Sequence, residues 1–225
     1  MKGTTAHAVW IALLAASSLG SAAAQQRETR MEITVERKEG QAWKAVDPAL
    51  VLASGDVVRF KFKPSFDGYL YVTDYGTSGK YTLLFPRQET GQKNLVTAGN
   101  EYLIPATGAV FRVSGPAGYE SVYWYISPVA LGTFDLTPSR PPTHRPPILL
   151  PRCDDTAMRA RGLCLDAQAG PRQITETDKL PDDLTAVRRG ASRELTILQE
   201  ENQMVVSAAG PATAPLLYEF RLAHK

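Results

Sequence analysis

Residues Gly68–Pro86 read GYLYVTDYGTSGKYTLLFP. Leu70 and Val72 alternate with Tyr69, Tyr71 and Thr73, the period-two pattern of a strand whose two faces differ. Ser78-Gly79 is turn chemistry, and a second run follows over Lys80–Phe85. The stretch therefore predicts a β-hairpin, Tyr69–Tyr75 against Lys80–Phe85, with the Leu70/Val72 side turned to a core. Asp67-Gly68 supplies a turn in front of it.

The same alternation runs through the flanking sequence. In ASGDVVRFKFKP (53–64), Val58, Phe60 and Phe62 share one face; Arg59, Lys61 and Lys63 share the other. That is a half-buried antiparallel strand with a wet, basic outer side, stopped by Pro64, which cannot donate to a ladder. Met31–Lys38 reads as an earlier strand, broken by Gly40, with AWKAVDP as a short second arm. Short strands are expected near Leu95 and over Tyr102–Ile104. Further strands are read at Val110–Val113 and Ser121–Ile126, with GPAG (115–118) as a type I turn between them. RELTILQEENQMVVSA predicts a hairpin turning near Glu201-Asn202, and PLLYEFRL a last strand, expected to close against Met31–Lys38 and so protect an edge. Pro181–Arg189 reads as a short helix. Proline suits its first turn, Asp182 and Asp183 its positive N-terminus, and Arg188 and Arg189 its C-terminus. Short strands separated by regular turns define the fold class: all-β, an antiparallel β-sandwich, immunoglobulin-like in architecture.

Several of these motifs occur together in a known family. SGDVVRFKFKP, DGYLYVTDYG, LLFP, IPA and VSGPAGYESVYWYIS follow one another in the order of the secreted bacterial domain of unknown function 4384, which the chain resembles over about residues 33–127. The resemblance implies an all-β, sandwich-like domain with no assigned activity, one often joined to signalling, protease or envelope modules. It does not reach the proline-rich arm, the cysteine loop or the last hairpin.

The ends of the chain bear on location. Lys2, the apolar run VWIALLAA (9–16) and the small residues SAAA (21–24) form a signal-peptide pattern, with cleavage expected after Ala24 and a periplasmic or secreted product. The apolar run is too short to span a bilayer, so no stable membrane insertion is expected. Removal of this leader leaves about 200 residues, enough for one large β domain. The organisation expected is a leader over 1–24, a sandwich over 25–137, a proline-rich arm over 138–152, and a segment 153–225 that completes the same domain. The arm, with six prolines in the sixteen residues 137–152, favours polyproline II. Cys153 and Cys164 in an exported chain favour a disulfide, closing a small loop with a helical turn at Asp155–Arg161. A metal pair is the rival, disfavoured because no His or further Cys lies nearby to complete a site.

Composition and motifs narrow the function. A formal net charge of +2 without a clustered basic excess excludes nucleic acid as the expected partner. No G-x-S-x-G, H-E-x-x-H or Walker-type loop is present, and His144 and His224 are far in sequence from any nucleophile. No catalytic residue, metal or cofactor is assigned. The acidic pairs Asp154-Asp155 and Asp182-Asp183 read as helix N-termini rather than calcium ligands, since no calcium-loop spacing follows them. The ligand-binding candidate is a tyrosine face. Tyr69 and Tyr71 on one strand, and Tyr123 and Tyr125 on another, lie opposite the core residues and would form a patch beside Arg59 and Lys61 if the strands were neighbours. Such a surface suits extended peptides, proline-rich segments or sugars. Coverage by the chain's own proline-rich arm is weighed above an open site, because contiguous exposed aromatic patches are uncommon. The expected function is an exported, non-catalytic binding module contacting a cell-envelope protein or peptide. The alternative is a carbohydrate- or peptidoglycan-binding module using the tyrosine face.

Overall fold

The computed structural model describes residues 29–131, 149–192, 194–209 and 213–225. The signal-peptide pattern, His144 and most of the proline-rich arm lie outside these residues. In chain order the elements are β1 (Thr29–Glu39), β2 (Ala42–Val46), β3 (Val57–Pro64), β4 (Gly68–Tyr75), β5 (Tyr81–Phe85), β6 (Leu95–Val96), β7 (Tyr102–Ile104), β8 (Phe111–Arg112) and β9 (Gly118–Ser127). They continue with α1 (Asp155–Arg161), β10 (Gly170–Arg172), α2 (Asp182–Arg188), β11 (Leu195–Glu200), β12 (Gln203–Ala208) and β13 (Leu216–His224).

The strands form two antiparallel sheets. The first runs β11-β12-β1-β3-β7, with β2 beside β1 and β8 beside β3; the second runs β10-β13-β9-β4-β5, with β6 beside β4. Alternate residues of each sheet meet in one core: Met31, Ile33 and Val35 of β1 and Val58, Phe60 and Phe62 of β3 face Leu70 and Val72 of β4, Val122, Trp124 and Ile126 of β9, and Leu216, Tyr218 and Phe220 of β13. Trp124 is the centre of this core. Its ring lies edge-on to Phe60 at 5.2 Å and to Phe62 at 5.7 Å, and is stacked on Tyr218 at 6.3 Å. These edge-to-face and stacked arrangements are the ones favoured by the ring quadrupole.

The hairpin β4–β5 forms as its sequence predicts, and so does β11–β12, whose two-residue turn places Glu201 at φ 55°. One pairing differs from expectation. The last strand does not close against the first. β13 lies between β10 and β9, with nine residues in register against β9, while the N-terminal half of β1 is taken by β12. β13 and β1 meet only across the core, where Tyr218 donates to Met31 Sδ at 3.4 Å. Residues 115–118 carry the chain from β8 of the first sheet to β9 of the second. Alternation fixes which side of a strand is buried; it does not name the neighbour.

The cysteine loop closes as a Cys153–Cys164 disulfide spanning 11 residues. Inside it α1 is capped by Asp154, which accepts from Ala157 N at 2.8 Å, and ends at Gly162, whose φ of 65° suits a residue without a Cβ. The loop is stitched to the sandwich by Val51 N to Cys164 O and Asp166 N to Ala49 O, each 2.8 Å. Buried Asp166 also accepts from Tyr119 Oη at 2.6 Å and Gln168 N at 2.8 Å.

Candidate functional site

The sequence-predicted site residues fall on two separate surfaces. The tyrosines stand on the outer face of the second sheet, where Tyr71 and Tyr125 are register partners with rings 6.2 Å apart. Arg59 and Lys61 stand on the outer face of the first sheet, on β3, so the tyrosines and the basic row do not form one patch. Arg59 and Lys61 are also matched by acids on neighbouring elements. Arg59 Nε is 2.6 Å from Glu36 Oε2 with its guanidinium 4.3 Å from the centre of the Trp43 ring, and Lys61 Nζ is 3.5 Å from Glu101 Oε2.

The tyrosine face is covered by the chain itself. Tyr71, Tyr123 and Tyr125 are 7, 6 and 4% exposed, and Tyr69 is half-buried. The cover is the segment around α2, with Leu180, Leu184 and Val187 packed on Tyr71, Tyr81, Tyr123 and Tyr125. Tyr81 Oη donates to Asp183 at 2.8 Å, and Leu131 N donates to Tyr71 Oη at 3.1 Å. Burial, foremost, pushes the Tyr81 and Tyr123 phenols well above their ordinary value. Beside the tyrosines, Glu219 is 1% exposed and is held by Arg172, by Arg221 Nε at 3.1 Å and by Ser121 Oγ at 2.6 Å. Self-coverage is thus the arrangement seen, through residues 174–191 rather than through the described part of the proline-rich arm.

A second constellation lies at one end of the sandwich, between the sheets. The inward rows of three adjacent strands each finish in an ionisable residue. Leu70 and Val72 of β4 continue to Asp74; Trp124 and Val122 of β9 continue to Glu120; Phe220 and Leu222 of β13 continue to His224. Asp74 is opposite Val122 and Glu120 is opposite Leu222, so the two carboxylates are diagonal neighbours. Glu120 Oε1 accepts from Thr77 Oγ1 at 2.9 Å and Thr77 N at 3.3 Å, and lies 2.9 Å from Nε2 of His224, which is 1% exposed. Because a carboxylate only accepts, that contact places the imidazole proton on Nε2 and leaves buried Nδ1 without a partner. Gly76 makes room for the acids: a Cβ there would stand 2.7 Å from Glu120 Oε2 and 3.5 Å from Asp74 Oδ2.

Of these groups, Asp74, Gly76 and Glu120 line a cavity of about 300 Å³. Its walls include apolar Val58, Phe60, Leu84, Phe111, Val122 and Leu222 and polar Ser78, Thr82 and Ser114, and exposed Lys80 and Arg112 also line it. Asp74 Oδ1 is buried without a hydrogen-bond partner. Desolvation first, then the neighbouring Glu120 charge, hold the Asp74 carboxyl well above the usual carboxylate range. An apolar recess with a few convergent polar groups and a perturbed acid has the anatomy of a ligand pocket. Among the described residues, no group of three or more His, Cys, Asp or Glu is arranged to hold a metal. Asp154 caps α1, and Asp182 and Asp183 lie in the first turn of α2, the helix-terminal positions expected for them.

The fold and these sites define an all-β sandwich carrying a small helical, disulfide-closed insertion. Residues 51–130 match the family model described as Domain of unknown function (DUF4384). The matched span runs through β3–β9 and carries Asp74 and Glu120, but not β1, β2, His224 or the disulfide loop. No curated protein and no solved structure matches the chain.

Proposed function

We propose that the protein is an exported, non-catalytic binding module that contacts a cell-envelope protein by accepting one of its strands at the β11 edge. The observation that carries this reading is the outer row of backbone amides on β11. β11 ends the first sheet. In its two-residue hairpin the pair Glu200–Gln203 flanks the turn, so Ile197 and Gln199 turn their N–H groups away from β12. No described residue hydrogen-bonds to those amides. The strand contains neither Lys nor Pro, and Leu198 is 53% exposed. Edges of this kind are templates for strand addition unless blunted. The second sheet shows what blunting looks like: the β5 edge has its Leu83 and Leu84 carbonyls taken by Arg87 and Thr90, and β10 has only three residues. Exposed Glu200 and Glu201 at the hairpin tip favour a basic partner strand.

Export is supported by the leader pattern and by the disulfide, which persists in oxidising compartments. No helix among the described residues is long and apolar enough to cross a membrane. The glycan-binding alternative through Tyr69, Tyr71, Tyr123 and Tyr125 requires the segment 174–191 to lift first.

The test is a photo-crosslinker at Leu198 in cells, with and without Gln199→Pro. The proline removes only an outward-facing N–H. The expected result is one defined envelope-protein adduct, lost in the proline variant while its melting temperature holds. An adduct that survives the proline, or no adduct, defeats the reading.

A further inference from the structure

We propose that the strand accepted at the β11 edge runs antiparallel to β11, carries large apolar residues opposite Leu195 and Ile197, and is basic at its N-terminal end. This rests on the strand-addition reading and specifies the chemistry of the partner. The argument starts from the two faces of β11. Leu195, Ile197 and Gln199 are in register with Ala208, Val206 and Met204, all core residues. They are therefore the inward row, and Thr196, Leu198 and Glu200 are the outward one. The inward residues also hold the backbone groups that point away from β12, because they alternate with the bonded pairs Leu198–Val205 and Glu200–Gln203. In an antiparallel ladder, directly opposed residues share a face. A partner residue bonded to Leu195, Ile197 or Gln199 thus points inward as well.

Burial falls along this row. Val206 and Ala208 are 0 and 1% exposed, whereas Leu195 and Ile197 pack on the core but stay half-buried. The layering accounts for the difference. β1 meets β13 through Met31 and Tyr218, and β3 meets β9 through Phe60, Phe62 and Trp124. Counting outward from these contacts, β12 comes level with β10, the last strand of the second sheet, and β11 reaches one strand further. A neighbour within its own sheet is then what completes the burial of Leu195 and Ile197. Large apolar side chains opposite them remove the most surface from water.

Charge sets the direction. Glu200 and Glu201 are exposed where β11 ends, and β12 contributes no charged residue. The sequence ahead of β11, Arg193-Glu194, is balanced. An antiparallel partner lays its N-terminal end beside the two acids, so its basic residues belong there. Other occupants fit less well. A proline-rich segment lacks the amides that a ladder needs. A second copy of β11, in register at Ile197, would set its Glu194 against Glu200, a like-charge pair.

The experiment titrates three capped peptides into the purified, oxidised chain, followed by methyl NMR of Leu195, Ile197 and Leu198. The first, KKTVFTIT, places lysines opposite Glu201 and Glu200, Phe opposite Ile197 and Ile opposite Leu195. The second is its reversal, TITFVTKK, which brings lysines to the tip only in a parallel ladder. The third, KKTVSTST, lacks the inward apolar residues. KKTVFTIT should bind saturably below about 1 mM and shift the Leu195 and Ile197 methyls, and Gln199→Pro should abolish binding with Tm held. The other two peptides should bind about fivefold more weakly or worse. Glu200→Gln with Glu201→Gln, both on the exposed tip, should erase the preference between the two orientations. Equal affinity for TITFVTKK overturns the direction, and equal affinity for KKTVSTST overturns the inward apolar pattern. Binding that Gln199→Pro leaves intact defeats strand addition together with this proposal. If no peptide binds up to about 5 mM, this partner chemistry is wrong; loss of the in-cell Leu198 adduct in Gln199→Pro would then show that strand addition still stands. A chain that is dimeric, and made monomeric by Gln199→Pro, assigns the edge to a second copy and overturns the proposal.

Discussion

Leu184 is the residue that holds the cover on the tyrosine face, and replacing it with alanine should open that cover. It is 1% exposed and is the buried residue of α2. Leu184→Ala removes three carbons, worth about 2.4 kcal/mol at roughly 0.8 kcal/mol for each buried methylene-sized group. A rigid cavity would add to this, up to about 5 kcal/mol in the least forgiving cores. Here the lower end applies, because α2 has only seven residues and follows its contacts rather than standing alone. A loss of about 2–3 kcal/mol raises the open fraction of residues 174–191 roughly 30- to 140-fold. The Tyr81–Asp183 hydrogen bond and the paired hydrogen bonds from Arg172 of β10 to Asp178 remain as secondary ties. Hydrogen exchange followed by mass spectrometry on peptides covering 174–191 reads the opening directly. Alkaline absorbance gives an independent reading: the Tyr81 and Tyr123 phenols, raised by burial, should titrate closer to the ordinary value near about 10. Exchange rates and phenol titration that both stay at wild-type values would show that Leu184 does not hold the cover.

Two further perturbations test other parts of the fold. Cys153→Ser with Cys164→Ser opens an 11-residue loop; chain entropy puts the loss a little under the ~3 kcal/mol of a 15-residue loop, or about 5–10 °C in Tm, and an unchanged melting scan refutes it. Asp74 and Asp178 should give opposite pH responses. Burial opposes ionisation of Asp178, but two hydrogen bonds from Arg172 at 3.0 and 2.9 Å, joined by donors from Thr175, bring its pKa down to about 2. Its stabilisation is therefore present above the ordinary aspartate value near ~4 and lost as pH falls toward about 2, a loss that Asp178→Asn should flatten. Asp74 is raised by desolvation and by Glu120, so the folded state holds its proton more tightly and stability falls as pH rises through and above the usual carboxylate range. Asp74→Asn should accordingly raise Tm at neutral pH; a Tm at or below wild type contradicts the burial argument.

What the sequence made legible was local. The alternation in VVRFKFKP and GYLYVTDY placed Phe60, Phe62, Leu70 and Val72 in the core, where they are found. The Pro181, Asp182, Asp183 and Arg188 pattern placed α2, and Glu201-Asn202 placed the β11–β12 turn. What was not legible was the partner of each strand, since nothing in PLLYEFRL distinguishes β9 from β1 as its neighbour. The cover on the tyrosines did leave a trace. Leu180, Leu184 and Val187 follow a helical i, i+4, i+7 spacing, an apolar stripe that requires an apolar surface to land on. The end cavity left one too, because Asp74, Glu120 and His224 simply continue inward rows of aliphatic and aromatic residues. Whether the last residue of such a row is inside the sandwich or beyond its rim depends on how far the opposing sheet extends, and that is a tertiary quantity.

The distribution of charge across the molecule indicates where binding is available. On the first sheet's outer face Arg30, Arg59 and Lys61 are each paired with an acid, Glu32, Glu36 and Glu101 respectively, while Lys63 is exposed. On the second sheet's outer face, residues 174–191 and the Glu219 ion pairs close the surface. Both broad faces are thus largely covered or ion-paired by the chain's own residues, while Asp74 Oδ1 and His224 Nδ1 are buried without a partner at the end of the sandwich. Asp74 sharpens this. At a position where Leu70 and Val72 lead, another aliphatic residue would extend the core, whereas a buried carboxyl with an unpartnered oxygen is a cost to folding. Asp74 is thus a locally unfavourable residue at the end of an otherwise apolar row, where it lines the end cavity.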